Sequence, residues 1–406
     1  MSDWKQVKLN SLIDFYNGFA FKSSVFQAQG IPVLKIKNVK PNRIILNELA
    51  YVSPLLAETK ERYLARKDDI LITMSGNRID GSPDSWVGKV ARFKLDGTYL
   101  INQRVSFMRV KETLADASFL GFYLSSWEMQ NYFISKANSS GGQANISPDL
   151  VKDVDLSLPS LPEQKAIASV LSSLDDKIDL LHRQNKTLEA MAETLLIQHV
   201  LPREDEQNDG LYLLGDYLET ISVTHKFPNP QVIFLNTSDI YKGKVLTQEL
   251  SDVKGLPGQA KKSIKKGDIL FSEIRPANGR YALIDFDADN YVVSTKLMVL
   301  RAKQPKLIGL LYFYLTNKQV TDWLQVLAES RSGTFPQITF DQVADLELRL
   351  PQESDLDNLI ELLDDILLKQ SANNKQIQTL GNLRDTLLPK LMSGEVRVQY
   401  QTEEVA

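Results

Sequence analysis

Ile146 to Pro159 reads ISPDLVKDVDLSLP, and 192 residues later Ile338 to Pro351 reads ITFDQVADLELRLP. In both, a short turn-forming segment gives way to alternating apolar and polar residues, VDLSL and LELRL, the pattern of a half-buried strand. In both, a proline follows and then a long stretch with helical spacing of apolar residues begins. Outward from this pair the agreement continues in order. Tyr99 to Lys111, YLINQRVSFMRVK, returns as Tyr291 to Lys303, YVVSTKLMVLRAK. Phe122 to Phe133, FYLSSWEMQNYF, returns as Phe313 to Leu324, FYLTNKQVTDWL, and KDDILIT at Lys67 returns as KGDILFS at Lys266. Four blocks in one order signal an internal repeat, with insertions of different length between blocks.

The expected fold class is therefore α+β. Two similar mixed α/β domains are separated by two long helices packed as an antiparallel coiled coil, with an internal pseudo-twofold repeat. The expected divisions are 1–160, 161–202 (first spacer helix), 203–351, 352–394 (second spacer helix) and a tail, 395–406. Charge follows the same rhythm: 20 basic and 16 acidic residues in 1–160, 5 and 10 in 161–209, 17 and 15 in 210–351, and 5 and 10 in 352–406.

The first helix carries Ile167, Leu171, Leu174, Ile178, Leu181, Leu188 and Leu195 in a stripe, with Asn185 and Ala192 in the remaining places. The second carries Leu356, Leu359, Leu363, Ile366, Ile377, Leu380, Leu387 and Leu391, with Gln370, Asn373 and Arg384. Spacings of three and four make a coiled-coil seam, and each helix is the natural cover for the other. Asn185 is expected opposite Gln370 or Asn373, setting register. The alternative is that these polar residues sit at the solvent edge of the seam.

With 406 residues, 43% of them apolar and 24% charged, the chain has ordinary globular composition. The lack of cysteine removes disulfides, thiolate metal sites and thiol nucleophiles, and three histidines, His182, His199 and His225, offer no ligand spacing. No apolar run approaches about 18 residues and none near Met1 has signal-peptide character. The expectation is a cytoplasmic protein with no membrane span.

Enzyme signatures are nearly absent. No phosphate loop of the G-x-x-x-x-G-K-[ST] type and no G-x-G-x-x-G after a strand occurs. Asn229-Pro230-Gln231-Val232 lacks the second proline and stacking aromatic of an adenine methyltransferase loop and reads as a turn. Pro83-Asp84 has no second carboxylate before Lys89, and Gly141-Gly142-Gln143 is a lone tripeptide. What remains is loops rich in side chains that read nucleic acid. In the first repeat these are Lys35, Lys37, Asn38, Asn77, Arg78, Lys89, Arg104, Ser139, Gln143 and Asn145. In the second they are Asn236, Ser238, Lys242, Lys244, Arg275, Asn278, Arg280, Lys296, Arg331 and Gln337. Lys261, Lys262, Lys265 and Lys266 form a basic run suited to phosphates. Taken singly, each of these side chains also fits a solvated loop; only the clustering carries weight.

The chain resembles the specificity subunit of Type I restriction-modification systems. The resemblance rests on NGFAFKSSVF and GIPVLKIKNV within Asn17 to Val39, on KDDILITMSGN, on NQRVSFMRV, and above all on GGQANISPDLVKDVDLSLPSLPEQKAIASVLSSLDDKIDLL from Gly141 to Leu181. It covers essentially the whole chain, although the second copy departs from it with LPQESDLDNLIELLDD in place of LPEQKAIASVLSSLDD. The resemblance implies a non-catalytic DNA reader with two target-recognition domains, 1–160 and 203–351, each contacting one half of a gapped site in double-stranded DNA. It implies that two modification subunits, which bind S-adenosylmethionine and methylate adenine, dock on the helices. Two restriction subunits using ATP and Mg would complete the complex, and this chain would bind no cofactor or metal of its own. As a ruler, the 29 residues from Ile167 to Leu195 would span about 43 Å, against about 34 Å for one DNA turn. The acidic balance, 47 basic against 51 acidic residues, implies weak DNA affinity without those subunits. Two other readings compete: a coiled-coil scaffold bridging proteins without DNA, and an autonomous methyltransferase, for which the chain lacks the loops.

Overall fold

The computed structural model describes residues 4–78, 85–140, 143–202, 211–330 and 336–399. Two compact units divide the chain: residues 1–179 together with 378–406, and residues 180–377. The helices that matter below are α1 (Ala117–Leu124), α2 (Trp127–Lys136), α3 (Leu161–His199), α4 (Ile308–Thr316), α5 (Lys318–Ser330) and α6 (Glu353–Ser393). Both α3 and α6 contribute to both units, as the residue ranges require.

In the first unit a four-stranded antiparallel sheet is built from β1 (Ile13–Asn17), β2 (Ile70–Thr73), β3 (Val90–Arg92) and β4 (Val105–Val110), in the order β1-β4-β2-β3. Ile70, Leu71 and Ile72 are all buried, because helices cover one face of β2 and a second small core the other. That second core includes Leu34, Phe93, Ile101 and Phe107. Beside it, Leu100–Ile101 pairs in parallel with Ile31–Leu34, which pairs antiparallel with Ala50–Val52. α1 starts where Asp116 accepts a hydrogen bond from the Phe119 backbone N–H, and α2 where Ser126 accepts one from Met129. The strand expected from VDLSL forms at Asp155–Leu158 and pairs with Lys5–Lys8.

The second unit shows the same order of elements. Its sheet comprises β5 (Leu218–Thr220), β6 (Ile269–Ser272), β7 (Tyr281–Leu283) and β8 (Leu297–Ala302), ordered β5-β8-β6-β7. Gln231–Leu235 pairs in parallel with Tyr291–Ser294 and antiparallel with Leu250–Asp252. The strand expected from LELRL forms at Glu347–Arg349 and pairs with Leu211–Leu213. Even the buried ion pairs correspond. On β4, Arg109 Nε donates to Asp69 at 3.1 Å, and on β8 Arg301 donates through Nε and Nη2 to Asp268 at 2.7 and 2.9 Å. Burial holds the Asp69 carboxyl above its ordinary range, against the opposing pull of the Arg66 backbone N–H and of Arg109.

The long helices pack on one another within each unit. In the first, Ile167, Ala168 and Leu171 of α3 share a core with Leu391 and Met392 of α6, and Leu174, Ile178, Leu380 and Leu387 are half-buried. Arg384 Nη1 donates to Asp175 at 3.0 Å, and Asn42 Nδ2 donates to the same carboxylate at 2.9 Å. In the second, Ala192 and Leu196 meet Leu359, Ile360, Leu363 and Ile366; Leu181 is buried and Ile377 half-buried. Leu188 and Leu195 are half-buried, while Leu196 and Val200 are the more deeply covered. A straight helix of 3.6 residues per turn drifts against a strict heptad, which moves the buried stripe off Leu195 by one position. Asn185 meets Gln370, Asn373 and Asn374, and Asn373 is only 2% exposed, so this polar cluster lies within the seam.

Candidate nucleic-acid interface

In the first unit the chain leaves β2 through Met74 into Ser75–Gly76, which pairs with Gln143–Asn145, which in turn pairs with Asn138–Ser140. Gly76 is required here: a Cβ would stand 2.6 Å from the Trp86 carbonyl carbon and the Val87 nitrogen. Asn77 therefore runs against Trp86, and its Nδ2 donates to Ser85 Oγ at 3.2 Å. The Arg78 guanidinium donates to the Ala137 carbonyl just past α2. Arg104 Nη1 donates to Ser75 Oγ at 3.2 Å, and that hydroxyl donates to Asn145 Oδ1 at 2.6 Å. Five expected side chains, Asn77, Arg78, Arg104, Gln143 and Asn145, are thus gathered around one small sheet, all but Asn145 well exposed. Ser139 lies on the same sheet, opposite Ala144. Residues 79–84, including Pro83-Asp84, and Gly141-Gly142 lie outside the described residues.

The other expected residues of this unit do different work. Asn38 is buried and donates through Nδ2 to the carbonyls of Ile45 and Asn47, both at 3.1 Å. Lys89 is 1% exposed, with its ammonium on the Ile36 carbonyl at 3.3 Å. Both hold the loop around residues 36–47 in place, and neither is presented to a ligand. Lys37 pairs with Glu48 at 2.8 Å, and Lys35 lies 3.8 Å over the Phe26 ring. Burial, helped by the nearby Lys37 charge, lowers the Lys35 ammonium below its ordinary value.

The second unit gathers a corresponding group at the end of β6. Arg275 is held at a left-handed φ of 48° and donates its backbone N–H to Pro336 O at 3.2 Å, beside the bridge between Ile274 and Gln337. Asn278 is exposed on the next turn. Lys242, at φ 43°, donates its backbone N–H to Gly279 O at 2.7 Å, and its stem lies where a Cβ on Gly279 would meet it at 3.0 Å. Arg280 Nη1 donates to the carbonyls of Ser238 and Ile240, both at 3.1 Å. Lys296 is exposed, and its carbonyl accepts from the Glu273 N–H at 3.2 Å. Exposed Ser238 and Lys244 flank the same hairpin, whereas Asn236 is used locally, accepting from Thr237 N. Arg331 lies outside the described residues.

Within the basic run, Lys261, Lys265 and Lys266 are exposed, but Lys262 is turned inward. Its ammonium donates to Leu297 O at 2.8 Å and Thr295 O at 3.3 Å, and burial lowers its pKa against the raising effect of Glu273. The sequence reading passed over Tyr241, whose exposed ring lies 5.4 Å from the Arg280 guanidinium and 5.7 Å from the Lys242 ammonium. A two-residue strand carries too little periodicity to single it out.

Among the described residues no group of histidine, aspartate and glutamate could hold a metal ion, and no helix is long and apolar enough to cross a membrane. The family model for the Type I restriction modification DNA specificity domain matches residues 1–190 and 223–379, well over half of the sequence. The chain belongs to this family. Its relatives include the Type I restriction enzyme HindI specificity subunit of Haemophilus influenzae, 46% identical over 178 residues, or 43% of this chain and 39% of that protein. The EcoBI specificity subunit of Escherichia coli is 23% identical over 98% of this chain and 88% of that protein. The crystal structure of a Type I S subunit from M. genitalium shares the fold at a TM-score of 0.60 and 14% identity, over 96% of both chains.

Proposed function

We propose that this chain is the DNA sequence-specificity subunit of a Type I restriction-modification complex. On this reading 1–160 and 203–351 are repeated target-recognition domains, 161–202 and 352–394 are spacer helices forming an antiparallel coiled coil, and each recognition domain reads one half of a gapped site. The observation that carries the reading is that both units gather Arg, Asn and Gln side chains at the same place, the exit of the second sheet strand: exposed Asn77, Arg78, Arg104 and Gln143 in one, exposed Arg275 and Asn278 beside half-buried Gln337 in the other. A protein-bridging scaffold would not require such a match, and the named relatives are specificity subunits.

The chain then performs no chemistry itself. Adenine methylation with S-adenosylmethionine belongs to two modification subunits docked on the helices, and ATP- and Mg-dependent cleavage to two restriction subunits, in the cytoplasm. Lys261, Lys265 and Lys266 supply phosphate contacts that position the protein without reading sequence. The test is modified-base sequencing of DNA from cells expressing the chain with its modification subunit, against cells with that subunit alone. N6-methyladenine in a two-part motif only when both are present supports the reading. No motif, with the protein complex formed, refutes it.

A further inference from the structure

One largely exposed aromatic stands beside the first unit's polar turn. Trp127, the first residue of α2, is 59% exposed, and its ring lies 5.7 Å from that of Trp86, which is 6% exposed. Trp86 is the residue against which Asn77 is bridged. Its own footing is firm: the next residue, Val87, gives its carbonyl to Gln130 of α2, and Gly88 packs on the Phe133 ring. The Trp86 indole N–H is buried and has no acceptor among the described residues, so it adds no polar bond that would account for the aromatic pair. The fold thus supports a large apolar plate at the rim of a group of hydrogen-bonding side chains and leaves its outer face in water.

In the second unit the corresponding helix-start position, by the match of FYLSSW to FYLTNK, is Lys318, which is exposed and paired with Asp322. The same place in the two units therefore carries an aromatic in one and a cation in the other. Those are the two side-chain types that hold nucleotides by apolar packing and by charge, respectively.

We propose that Trp127, backed by Trp86, is a DNA-contacting residue of the first unit whose indole packs on the apolar surface of a nucleotide at the edge of the half-site read from the Asn77–Arg78 turn. The inference rests on the specificity-subunit reading. Its ligand chemistry is a thymine methyl group or a deoxyribose face, both apolar surfaces of DNA.

The experiment compares wild type, Trp127→Ala and Trp127→Phe, each as the full chain in complex with its modification subunit, by the rate and motif of adenine methylation. Trp127→Ala should lower methylation about tenfold, or relax one position of a single half-site, with complex formation and melting temperature unchanged; Trp127→Phe should retain most of the rate. Replacing thymine by deoxyuracil in that half-site separates the sources: a matching loss for wild type but not for Trp127→Ala assigns the methyl group, and no loss assigns the sugar. A wild-type motif methylated within twofold of normal by Trp127→Ala overturns this inference alone. So does a loss that Trp127→Ala and Trp127→Phe share with a fall in melting temperature, which marks a structural role. Absence of any motif with wild type overturns the specificity reading and this inference together.

Discussion

Asn185 accepts a hydrogen bond from Asn373 across the helix pair, Nδ2 to Oδ1 at 2.8 Å, while its own Nδ2 donates to Asn374 at 3.0 Å. Gln370 adds a bond to the Asn185 backbone carbonyl at 3.3 Å. Amides in an otherwise apolar seam fix register, because any slip of the helices leaves buried polar groups unpaired. Asn185→Ala is expected to cost about 1–3 kcal/mol, since Asn373 stays buried without its partner. Asn185→Leu with Asn373→Leu should recover most of that loss in thermal unfolding. A single-mutant cost that the double mutant fails to reduce would show the amides acting independently.

The paired sheets depend on buried charge. Asp268 is 0% exposed and takes both Arg301 bonds, so Asp268→Ala leaves a largely buried guanidinium without its hydrogen-bonded counter-charge, with only the more distant Glu219 carboxylate acting on it. A loss of about 3–5 kcal/mol is expected from chemical denaturation, confined to the second unit. Asp69→Ala should act in the same direction on the first unit but less strongly, because burial already disfavours the Asp69 carboxylate.

Alkaline pH should act first on the second unit. Burial, with Glu189 and Tyr241 nearby, pushes the Tyr281 phenol up to about 12, and burial raises Tyr312 and Tyr314 further. In the unfolded chain these tyrosines ionise near 10, so the folded state holds more protons above that pH. The Tyr281 contribution is intact below pH 10 and is lost as pH rises from 10 to about 12, and those of Tyr312 and Tyr314 are lost over a range that extends higher. Tyr281→Phe should move the midpoint of alkaline unfolding, followed by circular dichroism, to higher pH.

Replacing Lys261, Lys265 and Lys266 by alanine should weaken DNA binding by the assembled complex equally on all sequences. If all three touch phosphates, the slope of log affinity against log salt should flatten by about 0.9 per lysine, with no change in motif. A changed motif would mean that the run reads bases.

Much of the fold was legible because repeats and periodicity are local properties of sequence. ISPDLVKDVDLSLP and ITFDQVADLELRLP become the same short helix, strand and long helix in both units. Seam spacing pointed to Gln370 or Asn373 opposite Asn185, as found, but not to the Asn374 bond. The boundary of each compact unit did not, because the chain folds back through α6 to complete the unit in which it began. Candidate site residues were harder, since a polar residue in a loop looks the same whether it faces outward or satisfies backbone carbonyls. Asn38, Lys89 and Lys262 face inward for that reason, and only three-dimensional packing distinguishes them from Asn77 or Lys261. Tyr241 was missed because an exposed aromatic in a two-residue strand matches no periodic pattern.

The central claim is that each unit reads its own half of the DNA site. The most direct measurement is modified-base sequencing after co-expression of the modification subunit with Asn77→Ala/Arg78→Ala and, separately, with Arg275→Ala/Asn278→Ala. The account predicts that the first pair alters or abolishes recognition of one half of the motif and the second pair the other half, with both variants still assembling. Equal loss at both halves from either pair would contradict it.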